Sequence, residues 1–100
     1  TAVGDNDPPT TLPHTAWLRQ NYPNPFNPST EIAYTLSSAG QVSILIFDVL
    51  GKQVVTLVNE REEVGEHKVQ WNAERYPSGI YFYRLVTDDF KKTRKMVLIR

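Results

Sequence analysis

The sequence has 100 residues, with eleven basic and eleven acidic side chains and a formal net charge of +0. That length allows one domain, and the charge balance argues against a nucleic-acid binder, whose affinity rests on neutralising phosphates. There is no cysteine, which excludes disulfides and thiol chemistry, and the 40% of hydrophobic residues suit a small core but are too dispersed for a membrane-spanning helix.

Residues 1–16 have linker composition. Gly4, Asp5, Asn6, Asp7, Pro8, Pro9 and Pro13 leave few apolar side chains, and clustered prolines make such a segment semi-rigid. A sequence opening Thr1-Ala2-Val3, without a signal peptide or initiator Met, reads as a piece of a longer protein. His14 stands alone there, short of the several converging ligands that a metal site needs. The folded domain is expected over 17–100, starting with a short strand from Trp17 to Asn21.

Next comes Asn21-Tyr22-Pro23-Asn24-Pro25-Phe26-Asn27-Pro28-Ser29-Thr30. Its prolines fix φ and remove three backbone donors. They also push Tyr22, Asn24 and Asn27 out of helical geometry. A helix and a central strand are both excluded, which leaves an irregular ribbon along a sheet edge. Tyr22 and Phe26 are expected to be its buried anchors, with Asn24 and Asn27 tying down loop backbone.

The rest alternates with period two. Glu31–Leu36 puts Ile32, Tyr34 and Leu36 on one face, a half-buried strand. Gln41–Asp48 turns Val42, Ile44 and Ile46 inward. Val49-Leu50-Gly51 fits a tight hairpin loop with Gly51 in the left-handed region, and Gln53–Asn59 returns. Glu60-Arg61-Glu62-Glu63 reads as a solvated loop. Adjacent strand residues face opposite ways, so Glu62 and Glu63 are not a carboxylate pair.

Gly65–Asn72 is a strand carrying His67, Val69 and Trp71 on one face, with Trp71 in the core. After a connection through Tyr76-Pro77-Ser78-Gly79 comes Ile80–Thr87, with Tyr81, Tyr83 and Leu85 on one face. Phe90–Arg100 is the final strand, in which Met96 and Leu98 are expected to help close the core. About seven short strands with regular turn signals describe an all-β, immunoglobulin-like sandwich. Gly79-Ile80-Tyr81-Phe82-Tyr83 has the spacing of the start of an immunoglobulin F strand. Tyr81 is either a tyrosine corner, its hydroxyl bonded to upstream backbone, or a ring that simply packs.

No catalytic constellation is legible. The serines lack a nucleophile-elbow pattern. His14 and His67 belong to no ligand motif, the glycines are isolated turn residues, and Asn27-Pro28-Ser29 has the central Pro that forbids glycosylation. No enzyme, cofactor, metal or small-molecule substrate is expected, and the oligomeric state is left open. Lys91, Lys92, Arg94, Lys95 and Arg100 cluster on or beside the last strand. Lysines there protect a sheet edge, or they belong to a recognition peptide.

The ribbon motif is joined by Ile46-Phe47-Asp48-Val49-Leu50-Gly51-Lys52, Ser78-Gly79-Ile80-Tyr81-Phe82-Tyr83-Arg84-Leu85 and Lys95-Met96-Val97-Leu98-Ile99-Arg100. In this order, from about Leu18 to Arg100, the sequence resembles the C-terminal sorting domain (type A) of type IX secretion cargo. It also shares part of its pattern with the immunoglobulin-like domain of the flagellar hook-capping protein. The resemblance implies a signal that directs an upstream cargo across the outer membrane to the surface or the extracellular space. It implies translocon components and a sortase-like signal peptidase as partners, and removal of the domain after export. It makes Lys95, Met96, Val97, Leu98, Ile99 and Arg100 the candidate recognition residues, on a strand edge left open for strand addition. Their deletion from Leu98 onward is expected to harm export more than folding. The structural frame is Tyr22, Pro23, Asn24, Pro25, Phe26, Asn27, Pro28, Gly51, Trp71, Gly79 and Tyr81. A structural spacer and a carbohydrate-binding sandwich are the competing readings, the latter resting on Trp17, Tyr76 and Phe82.

Overall fold

The computed structural model describes residues 16–100. The linker expected before them lies outside the described residues, apart from Ala16, the first residue of β1. Seven strands follow: β1 (Ala16–Leu18), β2 (Ser29–Leu36), β3 (Gly40–Phe47), β4 (Gln53–Glu62), β5 (Gly65–Asn72), β6 (Gly79–Val86) and β7 (Lys91–Leu98). Among the described residues there is no helix. One sheet has the order β1-β2-β5 and the other β4-β3-β6-β7, with every neighbouring pair antiparallel. This is an immunoglobulin-like sandwich whose fourth strand lies beside the third.

Alternation builds the core. Ile32, Tyr34 and Leu36 of β2 meet Val42, Ile44 and Ile46 of β3 and Tyr81, Tyr83 and Leu85 of β6, all buried. Trp71, Met96 and Leu98 close it, together with Ala16, Leu18 and Ala73. Val69 is only half-buried, because β5 is an edge strand with β2 on one side alone.

Strands β2, β3 and β6 lie within two residues of expectation; β1, β4 and β7 differ in ways that matter. The first strand ends at Leu18, where the ribbon takes over, and the last runs Lys91–Leu98. The larger difference is β4. It continues through Glu60-Arg61-Glu62, which pair with Val42, Gln41 and Gly40, so this charge run is not a loop. Two register shifts leave Leu57 and Val54 as extra residues opposite β3, and bulges of this kind bend an edge strand. Water on its free side solvates Glu60 and Arg61, which are exposed. Glu62 turns inward with its side chain only 11% exposed. Its Oε1 accepts a hydrogen bond from the Tyr34 hydroxyl at 2.5 Å, which links the two sheets.

The β3–β4 hairpin closes on Gly51, whose φ of 85° is the left-handed region that a side chain disfavours. Asp48 organises this turn, with Oδ1 accepting from the amides of Leu50 at 2.9 Å and Lys52 at 3.0 Å.

Candidate functional site: the proline ribbon on the last strand

The ribbon between β1 and β2 lies along the outer edge of β7. Pro23, Pro25 and Pro28 offer no amide, so a continuous ladder is impossible. The Tyr22–Pro23, Asn24–Pro25 and Asn27–Pro28 peptide bonds are cis. Phe26 retains both backbone groups and uses them. Its N–H donates to Val97 O, and its carbonyl accepts from Ile99 N, both at 2.9 Å. On either side, side chains do the work of backbone. Asn24 Oδ1 accepts from Val97 N at 2.9 Å, and Gln20 Nε2 donates to Lys95 O at 2.7 Å.

The base of the ribbon is fixed by Asn21, which is buried. Its Nδ2 donates to Thr30 Oγ1 at 2.9 Å and Pro23 O at 3.1 Å. The Tyr83 hydroxyl accepts from Asn21 N and donates to Arg19 O, each at 2.7 Å. Burial pushes the Tyr83 hydroxyl well above the usual tyrosine pKa, opposed by the Asn21 amide and then by Arg94.

The anchors are not the expected pair. The Phe26 ring is fully buried, 5.8 Å from Trp71. Tyr22, however, is 80% exposed, which corrects the expectation of two buried aromatics. Its backbone exchanges hydrogen bonds with Glu31 at 2.9 and 2.8 Å, while Asn21 and Phe26 hold the inward positions. Asn24 ties down strand rather than loop backbone. Asn27 is exposed, and it is Asn21 that provides the second tie. Pro28 helps through its carbonyl, which accepts from Ala73 N at 2.9 Å.

Trp71 is the hub of an aromatic cluster. Tyr76 and Tyr81 each lie 5.4 Å from it. The Tyr81 hydroxyl donates to Pro77 O at 2.6 Å, so the tyrosine corner is formed. Gly79, at φ 147°, starts the strand below it. Burial raises the Tyr81 pKa, with Asp48 adding to the rise and Arg100 opposing it.

The six C-terminal residues divide by role. Met96 and Leu98 are buried, Val97 is half-buried, and Lys95 and Ile99 are exposed. The Arg100 guanidinium is docked. Its Nη2 donates to the carbonyls of Ala73 at 2.8 Å, Glu74 at 2.7 Å and Tyr76. The edge from Lys95 to Ile99 is therefore not open for strand addition, and Arg100 is not a free cation. Both expectations are corrected, because the ribbon satisfies the outward backbone groups. Upstream on β7, Lys92 and Arg94 lie over the Trp17 ring at 5.6 and 5.8 Å, and Arg94 Nε donates to Leu18 O at 2.8 Å.

Sequence reasoning missed Arg19, Gln20, Asn21 and the Tyr83 hydroxyl. Their bonds span 62 to 75 residues, and no local signal marks such partners. The proposed sugar platform does not assemble: Trp17 faces the β7 cations, Tyr76 packs on Trp71, and Phe82 lies on the four-stranded sheet. Among the described residues, no three His, Asp or Glu side chains converge as a metal site.

Residues 20–99 match the family model for the secretion system C-terminal sorting domain. Among solved structures, the chain is similar to dimeric latent PorU from Porphyromonas gingivalis, with a TM-score of 0.68 and 20% identity over 90% of this chain. The chain covers 10% of that protein, and at such identity the likeness shows the fold alone. No curated protein matches. The match extends from the base of the ribbon to the end of β7, so the chain belongs to the secretion system C-terminal sorting domain family: it is a type IX sorting signal, whose destination lies across the outer membrane at the cell surface or in the extracellular space.

Proposed function

We propose that the domain is read by outer-membrane translocon components through side chains that its last strand holds in fixed positions. The supporting observation is the ribbon on β7, which ties Lys95 O, both Val97 backbone groups and Ile99 N. A partner therefore meets a rigid surface in which Lys95, Val97 and Ile99 are presented while Met96 and Leu98 anchor from below. Arg100 holds the 73–76 loop against the same end. After export, a sortase-like peptidase separates the domain from its cargo within the segment around residues 1–16, whose composition suits an accessible cleavage site.

The test fuses the domain to a reporter in a bacterium that has the type IX system. Surface-exposed and periplasmic reporter are compared for the wild type and for Ile99→Asp. Ile99 is exposed, so this change leaves the core intact. Surface reporter with the wild type and periplasmic retention with Ile99→Asp are expected. Equal export of both means that the tip is not read. Failure of the wild type to export the reporter sinks the sorting role and leaves a structural spacer.

A further inference from the structure

The chain has as many acids as bases, yet β3, β6 and β7 contain no Asp or Glu at all. Strand register shows what this produces on the outer face of the four-stranded sheet. Val97 stands beside Ile80. In the next row Lys95, Phe82, Phe47 and Gln53 lie side by side, followed by Thr93, Arg84, Leu45 and Thr56, then Lys91, Val86 and Ser43. Arg84 is held flat in the middle, its guanidinium carbon 4.6 Å from the Phe47 ring centroid and its Nε donating to Thr93 Oγ1 at 3.0 Å. The acids of β4 do not reach this face. Glu60 and Glu62 stand opposite Val42 and Gly40 in the inward register, and Arg61, at the far corner, lies 3.8 Å from Glu63.

The other sheet makes the contrast. Its outward positions on β2 and β5 include Glu31, Ala33, Thr35, Glu66, Lys68 and Gln70, a polar surface of mixed sign, as a solvated face should be. An apolar, aromatic centre with Arg across it and lysines along its β7 side, the acids Asp48, Asp88 and Asp89 being confined to the turns at its ends, has instead the composition of a protein interface. Edge protection accounts for Lys91, on the stretch of β7 before the ribbon's bonds begin at Lys95. It does not account for Phe47, Phe82 and Arg84, which lie on interior strands.

We propose that the outer face of β3, β6 and β7 is a docking surface for an acidic protein surface of the export machinery. Charge complementarity selects the partner: three strands whose charged positions on this face, Arg84, Lys91 and Lys95, are all cationic steer and orient an anionic one. This inference rests on the reading of the domain as a sorting signal, and it names a site apart from the C-terminal tip.

The reporter fusion also provides the test. Arg84→Glu/Lys91→Glu reverses the face yet keeps a charge on the edge strand, so edge protection survives. Surface reporter is expected to fall about tenfold or more, as for like charges brought together at an interface, while the purified variant melts as a folded domain. Arg84→Lys/Lys91→Arg should export normally, and so should Lys68→Glu on the opposite sheet. Wild-type export with equal export of Arg84→Glu/Lys91→Glu overturns the docking face and leaves the sorting role standing. No export of the wild type overturns both. Co-sedimentation of the purified domain with phosphatidylglycerol vesicles, abolished in Arg84→Glu/Lys91→Glu, would also overturn it by assigning the face to a membrane.

Discussion

The Tyr83 hydroxyl joins the base of the ribbon to the core, accepting from Asn21 N and donating to Arg19 O. Tyr83→Phe keeps the ring but leaves two backbone groups without this partner. Orphaned buried groups cost about 1–3 kcal/mol each, so a loss of that order is expected in urea unfolding. The same site carries a pH dependence. Burial raises the pKa of Tyr83, and burial followed by the Glu62 hydrogen bond raises that of Tyr34. Above the ordinary tyrosine value of about 10, the unfolded chain gives up protons that the folded domain keeps. Stability is therefore full below that pH and falls as pH rises toward the folded values. Unfolding midpoints measured from pH 8 to 11 should decline at the alkaline end, and less steeply for Tyr83→Phe. Trp71 is touched by Phe26, Tyr76 and Tyr81, so its truncation opens a large cavity. Trp71→Ala should lose about 3–5 kcal/mol, and a melting curve that overlays the wild type would exclude its role as hub.

At the scale of elements, the ribbon shows what sequence can and cannot say. Its prolines ruled out helix and central strand, and the period-two alternation of β2, β3 and β6 foretold their buried faces. Phe26 was legible as an anchor because a large apolar ring among prolines has nowhere else to go. Tyr22 was not, since its type suits burial and only the Glu31 bridge turns it outward. The end of β4 was illegible for a related reason: charge predicts contact with water, and an edge strand supplies that without becoming a loop. The ribbon and β7 can be tested separately. Phe26→Ala should cost about 3–5 kcal/mol, like other buried aromatics. Asn24→Ala removes only the bond to Val97 N, a net contribution of about 0.5–1.5 kcal/mol. Hydrogen exchange should quicken at the Val97 amide while the Ile44 and Tyr83 amides keep their protection. Uniform acceleration would mean that the ribbon and the sandwich open as one unit.

For the molecule as a whole, the C-terminal strand is a structural member, whatever part it has in the proposed recognition. The expectation that its last residues fray does not survive the burial of Leu98, the Ile99 bond to Phe26 or the three carbonyls held by Arg100. Deleting residues 98–100 should lower the melting temperature by several degrees, since about 1 kcal/mol shifts a domain this small by about 4–8 °C. An unchanged melt would mean that those contacts add nothing. Loss of export on deletion is thus no proof of a recognition peptide, and single substitutions at exposed positions are the cleaner probe. The distance along the chain between the ribbon and β7 has a further consequence in the order of synthesis. The ribbon leaves the ribosome some seventy residues before Lys95 and Val97, its partners. Until then, neither Phe26 nor Asn24 has the edge that it is shaped to hold. A chain stopped anywhere short of β7 lacks both the clasp and the surface that the clasp stiffens. An address on the proposed surface is therefore absent from any chain that stops short of β7.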